Sequence, residues 1–212
     1  EYTTKIKKTK FEVYNKKFWL NKKNLKFTQI ARKKLETFYK YGSETTKTFD
    51  IDKWAKFFAI TDLNYYPHAR AAKSVKFYYN PVSGTFEPIG YDAHRSVPNY
   101  SKYIKKWDEL PIQNSFQEAL TCKKDLDRCI KTGGRTGGNY LVYRFFFDRY
   151  GNLHKKFFEK YREHLLNITS KKFLDNFFSK RSKEIERINS LVYSDYFFVD
   201  HNYFYGPGIY YF

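Results

Sequence analysis

Residues Lys73–Ser96 read KSVKFYYNPVSGTFEPIGYDAHRS. Val75, Phe77 and Tyr79 alternate with more polar neighbours, the period-2 pattern of a half-buried strand. Asn80, Pro81, Ser83 and Gly84 are turn residues, so the stretch predicts a hairpin. The return strand, Thr85 to Tyr91, delivers Asp92 to its end. A carboxylate at such a strand end is a common holder of a hard cation. An ordinary surface hairpin with a solvated aspartate is the competing reading, and composition favours it.

Working outward, Asp50 or Asp52 caps a helix that puts Ile51, Trp54, Ala55 and Phe58 on one face. Before it, Thr28 is the expected N-cap of a helix carrying Ile30, Ala31, Leu35 and Phe38 as far as Tyr41-Gly42. Residues 1–24 form a basic aromatic arm, extended or strand-like, that docks through Phe18 and Trp19. After the hairpin, Arg95 to Asn114 is irregular, with Pro98 and Pro111 as breakers. Ser115 to Ile130 reads as helical. Thr132 to Asn139, TGGRTGGN, lacks the order of a phosphate loop and a preceding strand. It reads as a flexible insertion from which Arg135 reaches a phosphate or an acidic partner.

Tyr143 to Phe147 supplies aromatic core. Leu153, Phe157, Tyr161, Leu165 and Ile168 then recur at helical spacing. Thr169 or Ser170 caps a last helix with Leu174, Phe177, Phe178, Arg181, Ile185, Ile188 and Val192 on one side. These two helices are expected to pair antiparallel. The end of the chain, from Asp195, is aromatic and nearly uncharged, and is expected to dock on its own domain or on another chain. The boundaries read as an arm over 1–24, a domain over 25–195 and a docking tail over 196–212.

KSVKFYYNP followed by FEPIGYDAHRS resembles the CotH (spore coat protein H) kinase-like family, in which a strand of similar sequence precedes a metal-binding aspartate. FDIDKWAKFFAI resembles the family's supporting helix, and Tyr143 to Leu191 resembles its helical C-terminal region. The resemblance covers residues 25 to 195. It implies an α+β, mainly helical fold: the C-terminal lobe of an atypical protein kinase, with a small β-hairpin at the site. It also implies ATP and Mg2+ or Mn2+ as cofactors and serines of coat or surface proteins as substrate. Asp92 matches the metal-binding aspartate, the residue that holds the cation against nucleotide phosphates in phosphoryl transfer.

Other positions depart from that pattern. The family's second metal ligand, an asparagine, aligns with Ser74, and His94 stands two places after Asp92 where Asn or Asp is usual. The catalytic base falls in Pro67-His68-Ala69-Arg70, where His68 is the nearest substitute; Asp62 and Asn64 lie further back, on a helix. Lys73, Lys76, Arg95 and Arg135 are the candidate contacts to phosphate or to an acidic partner. Losing a ligand and the base weakens positioning and charge stabilisation together. The expectation is therefore a weak or inactive kinase-fold module, without cofactor if inactive, in a secreted or surface assembly. An active Ser kinase, and a basic module binding acidic partners or nucleic acid, are the alternatives. The nucleotide-clamping lobe would precede residue 1.

Composition sets the outer limits. Hydrophobic residues are 42% of the 212, with 22 Phe and 21 Tyr, which argues for a folded aromatic core and against disorder. A net charge of +18 predicts attraction to polyanions: acidic proteins, glycans or, ranked lower, nucleic acid. Lysine-rich, tyrosine-rich bias from base composition is the bland account, and no zinc-finger, RRM or KH pattern is present. Methionine is absent, so a processed product or part of a longer chain is expected. There is no signal peptide and no membrane-length apolar run. Extracellular or surface placement follows from the resemblance, with the cytoplasm as alternative. Cys122 and Cys129, seven residues apart, would lie about 10 Å apart on one straight helix, beyond the roughly 7 Å limit of a disulfide. A bridge needs a break between them; two buried thiols are the other outcome.

Overall fold

Asn80 shapes the turn on which the hairpin closes. Its Oδ1 accepts the backbone N–H groups of Val82 and Ser83 at 2.9 and 3.4 Å. Gly84 then takes a left-handed φ of 67°, which a side chain would resist. Strands β1 (Lys76–Asn80) and β2 (Thr85–Ile89) pair antiparallel, from Lys76 opposite Ile89 to Asn80 opposite Thr85. The return strand stops two residues short of the expected Tyr91. This computed structural model describes residues 13, 15–41, 44–64, 66–71, 74–91, 114–132 and 139–195. The described residues fall into two compact units, one ending at Leu165 and one beginning at Leu166.

Helix α1 (Lys16–Trp19) is a single turn inside the segment expected to be an extended arm. Helix α2 (Leu25–Tyr41) starts three residues before the expected cap. Thr28 is inside it, and its hydroxyl donates to the Trp19 carbonyl at 2.7 Å instead of capping. After a short helix α3 (Thr45–Thr48), helix α4 (Ile51–Leu63) begins as the sequence predicts. Asp50 Oδ1 accepts from Lys53 N at 3.1 Å, satisfying one orphan donor of the first turn. A short 3-10 helix over Pro67–Arg70 leads into β1.

The core is aromatic. Trp54, fully buried on α4, donates its indole N–H to the Phe86 carbonyl of β2 at 2.9 Å. Phe77 and Phe86, on the inner face of the hairpin, meet at 5.3 Å and both reach Phe49. Helix α7 (Tyr140–Phe146) is buried along its whole length and closes this cluster from the other side. Phe145 stacks on Trp54 with centroids 4.7 Å apart and also packs on Phe49 and Phe58. Helix α8 (Lys155–Ile168) adds Phe157 and Tyr161. The first unit is thus a mainly helical α+β arrangement around a two-stranded antiparallel sheet.

The break that a bridge between the two cysteines requires is present. Helix α5 (Ser115–Lys124) ends at Asp125, whose φ and ψ of −143° and 79° are not helical. Asp125 Oδ1 accepts Arg128 N at 2.9 Å and starts helix α6 (Leu126–Thr132) in a new direction. The bend brings Cys122 and Cys129, both buried, to a Cα separation of 5.2 Å, and they form a disulfide. Closing so short a loop is worth about 2–3 kcal/mol by chain entropy. Urea denaturation of the Cys122→Ser/Cys129→Ser variant should show a loss of that size; an unchanged midpoint would mean the bridge carries no stability.

In the second unit, Ser170 Oγ accepts Phe173 N at 3.2 Å and begins helix α9 (Lys171–Asp195) as expected. Along its expected apolar stripe, Leu174, Phe177 and Ile188 are 37–45% exposed, while Phe178 and Ile185 are half-buried. Among the described residues no helix is long and apolar enough to cross a membrane. The expected aromatic tail over 196–212 lies outside the described residues.

Candidate functional site

Two elements converge on the segment where a kinase-type base is expected: the C-terminal turn of α4 and the 3-10 helix that follows. His68, the candidate base, is half-buried on that 3-10 helix between Pro67 and the buried Ala69 and Arg70. Ser74, the candidate second ligand, is only 4% exposed, and its N–H is held by the Ala71 carbonyl at 2.8 Å. Lys76, on β1, places its ammonium 3.3 Å from the centroid of the Tyr91 ring, a cation–π contact. Asp92, His94, Lys73, Arg95 and Arg135 lie outside the described residues.

What the fold brings together instead is a buried ionic cluster around Arg70. The guanidinium is 1% exposed and pairs with Asp62 at 2.8 Å and Glu118 at 2.7 Å. It also donates to the Thr61 hydroxyl at 3.0 Å, while Nε finds no acceptor among the described residues. Asp62 is near the end of α4, Glu118 is in the first turn of α5, and Arg70 ends the 3-10 helix between them. Asp62 further accepts the Ser115 N–H and hydroxyl at 3.0 Å and the Tyr161 hydroxyl at 2.6 Å. Asn139, the N-cap of α7, donates to the Arg70 carbonyl at 2.7 Å while its Oδ1 accepts from Leu141 N. One arginine and one aspartate thereby tie α4, α5, α7 and α8 together.

The electrostatics follow from burial. Burial pushes Glu118 above the usual carboxylate range, and this outweighs the opposing pull of Arg70. Tyr161 is pushed up as well, first by burial and then by the Asp62 charge that its hydroxyl meets. Such a cluster holds charge still; it does not offer a proton acceptor. Every oxygen of Asp62 is already committed to protein donors.

No group of three His, Cys, Asp or Glu residues converges among the described residues. Ser74 is buried, and Asp62 is enclosed. A different set of residues gathers at the surface. Between Val13 and Leu35 the chain carries eight Lys or Arg and no acid. Phe18, Phe27, Ile30 and, from β1, Tyr78 lie exposed beside them. Sequence reading marked the basic arm with Phe18 and Trp19 as a docking element, but neither Tyr78 beside it nor the ionic cluster. The residues of the ionic cluster stand far apart along the chain, Arg70 and Glu118 by 48 positions, and no local pattern links them. No protein-family model, curated protein or solved structure matches the chain.

Proposed function

We propose that this chain is a kinase-related domain without phosphotransfer, acting as an interaction module in an extracellular or surface assembly. The observation that carries the reading is that the expected base segment offers His68 in place of an aspartate, while the carboxylate before it among the described residues, Asp62, is enclosed. Asp62 precedes the hairpin on α4, and it is spent on Arg70, Ser115 and Tyr161. A general base has to reach the substrate proton directly or through one water, and a carboxylate enclosed by its own fold does neither. The likeness to the CotH kinase-like family rests on KSVKFYYNP followed by FEPIGYDAHRS, with FDIDKWAKFFAI before them and Tyr143 to Leu191 after. The disulfide supports an oxidising compartment.

The test is phosphate transfer from labelled ATP to a serine-rich acceptor protein, with magnesium or manganese. No incorporation above background is expected, and Asp92→Ala should leave that background unchanged. Incorporation that disappears in the Asp92→Ala variant would overturn the reading and establish the active Ser kinase in its place.

A further inference from the structure

We propose that the face built by residues 15–34 together with Tyr78 binds an acidic polysaccharide. The argument starts from charge. Lys16, Lys17, Lys22, Lys23, Lys26, Arg32, Lys33 and Lys34 follow one another with no aspartate or glutamate between them. The first seven form no ion pair among the described residues. A run of eight exposed or half-exposed cations with no acid among them concentrates charge of one sign, which draws a polyanion.

The face is also built. Asn21 Oδ1 accepts Asn24 N at 3.0 Å, Asn24 Nδ2 donates to the Phe18 carbonyl at 3.0 Å, and Thr28 fixes the Trp19 carbonyl. Lys34 reaches across to donate to the Gly84 carbonyl, clamping α2 to the hairpin turn. Lys26, Ile30 and Lys33 recur at i, i+4 and i+7, so they line one outward stripe of α2. A surface ordered before binding loses less entropy on binding.

The aromatic residues select among polyanions. Phe18 and Tyr78, 50% and 40% exposed, flank Trp19 at 4.9 and 6.2 Å. Their planes are inclined to that of Trp19 by 88° and 51°. Successive bases of a single strand need rings whose free faces suit a continuing stack. Rings set at these angles do not offer one. A sugar chain turns from residue to residue and presents separate apolar C–H faces, which inclined rings can meet one at a time. Seven of the eight cations are lysine, a point charge, and not the forked arginine that grips phosphate in two places. Spaced carboxylates or sulfates on a flexible polymer match that arrangement.

The test is binding of the full chain to polygalacturonate, measured by biolayer interferometry against a salt series. Affinity should fall at least tenfold between about 50 and 200 mM salt. Replacing Lys22, Lys23, Lys26 and Lys33 with glutamine should weaken binding at least tenfold and flatten the salt slope. Tyr78→Ala should weaken it several-fold with an unchanged melting temperature. Parallel arms use polyglutamate, a deoxythymidine oligomer and anionic phospholipid vesicles. The proposal is overturned if the glutamine variant binds polygalacturonate like the parent chain, or if any of those three binds as tightly as polygalacturonate.

Discussion

Replacing Arg70 with leucine is expected to cost about 3–5 kcal/mol of folding stability at neutral pH, the usual result of stranding buried carboxylates without their cation. Asp62 would keep Ser115 and Tyr161 as donors, but Glu118 would lose Arg70, its side-chain partner among the described residues. The loss should shrink on acidification, and the sign comes from Glu118. Its carboxyl is already held above the normal range in the folded protein, so the folded state binds this proton more tightly than the unfolded chain does. The stability linked to that proton is present at low pH and is lost as pH rises through the raised value. Without Arg70 the same group is raised further, which widens the difference between neutral and acidic solution. Urea denaturation of parent and variant across that range reads it directly. Glu118→Gln is the control: it keeps a hydrogen-bond acceptor for Arg70 and removes the charge that burial opposes, so it should cost far less than Arg70→Leu. Equal losses in the two variants, independent of pH, would mean that the cluster stabilises through packing alone.

The parts of this fold that were legible in the sequence are those governed by near neighbours. Asn80 and Gly84 make their turn within five residues, and Asp50 and Ser170 cap helices whose first turns they precede. Alternation in β1 and the apolar face of α4 are likewise local. Thr28 was misread because a hydroxyl before an apolar run looks like a cap, whereas a carbonyl nine residues upstream claimed it. The bend at Asp125 decided the fate of the two cysteines, and a single aspartate inside a helical pattern does not announce a break. The ionic cluster was hidden for a different reason. Arg, Asp and Glu in a sequence default to the solvent, and only the meeting of four helices shows that these three are inside. The same meeting makes Asp62, which the sequence shows only as lying behind the expected base, a structural anchor.

Trp54→Ala should be the most damaging substitution in the aromatic core, at about 3–5 kcal/mol, and should loosen the hairpin as well as the helix. Trp54 touches Phe49, Phe58, Phe77 and Phe145 and bonds to the Phe86 carbonyl, so one side chain joins α4, α7 and both strands. Two effects are combined there, and Trp54→Phe separates them. Phenylalanine keeps most of the buried area and loses the indole N–H. The orphaned acceptor matters little, because the Phe86 carbonyl also receives the Asp50 N–H at 3.0 Å and stays satisfied. A cost of about 1–2 kcal/mol is therefore expected for Trp54→Phe, mostly lost packing. Hydrogen exchange supplies the second readout. In Trp54→Ala the strand amides of β1 and β2 should lose protection together with those of α4, because a two-stranded sheet is marginal by itself. If the strands kept their protection while α4 lost it, the hairpin would be standing on the remaining phenylalanines, and the tryptophan would be a local filler, not the joint between helix and sheet.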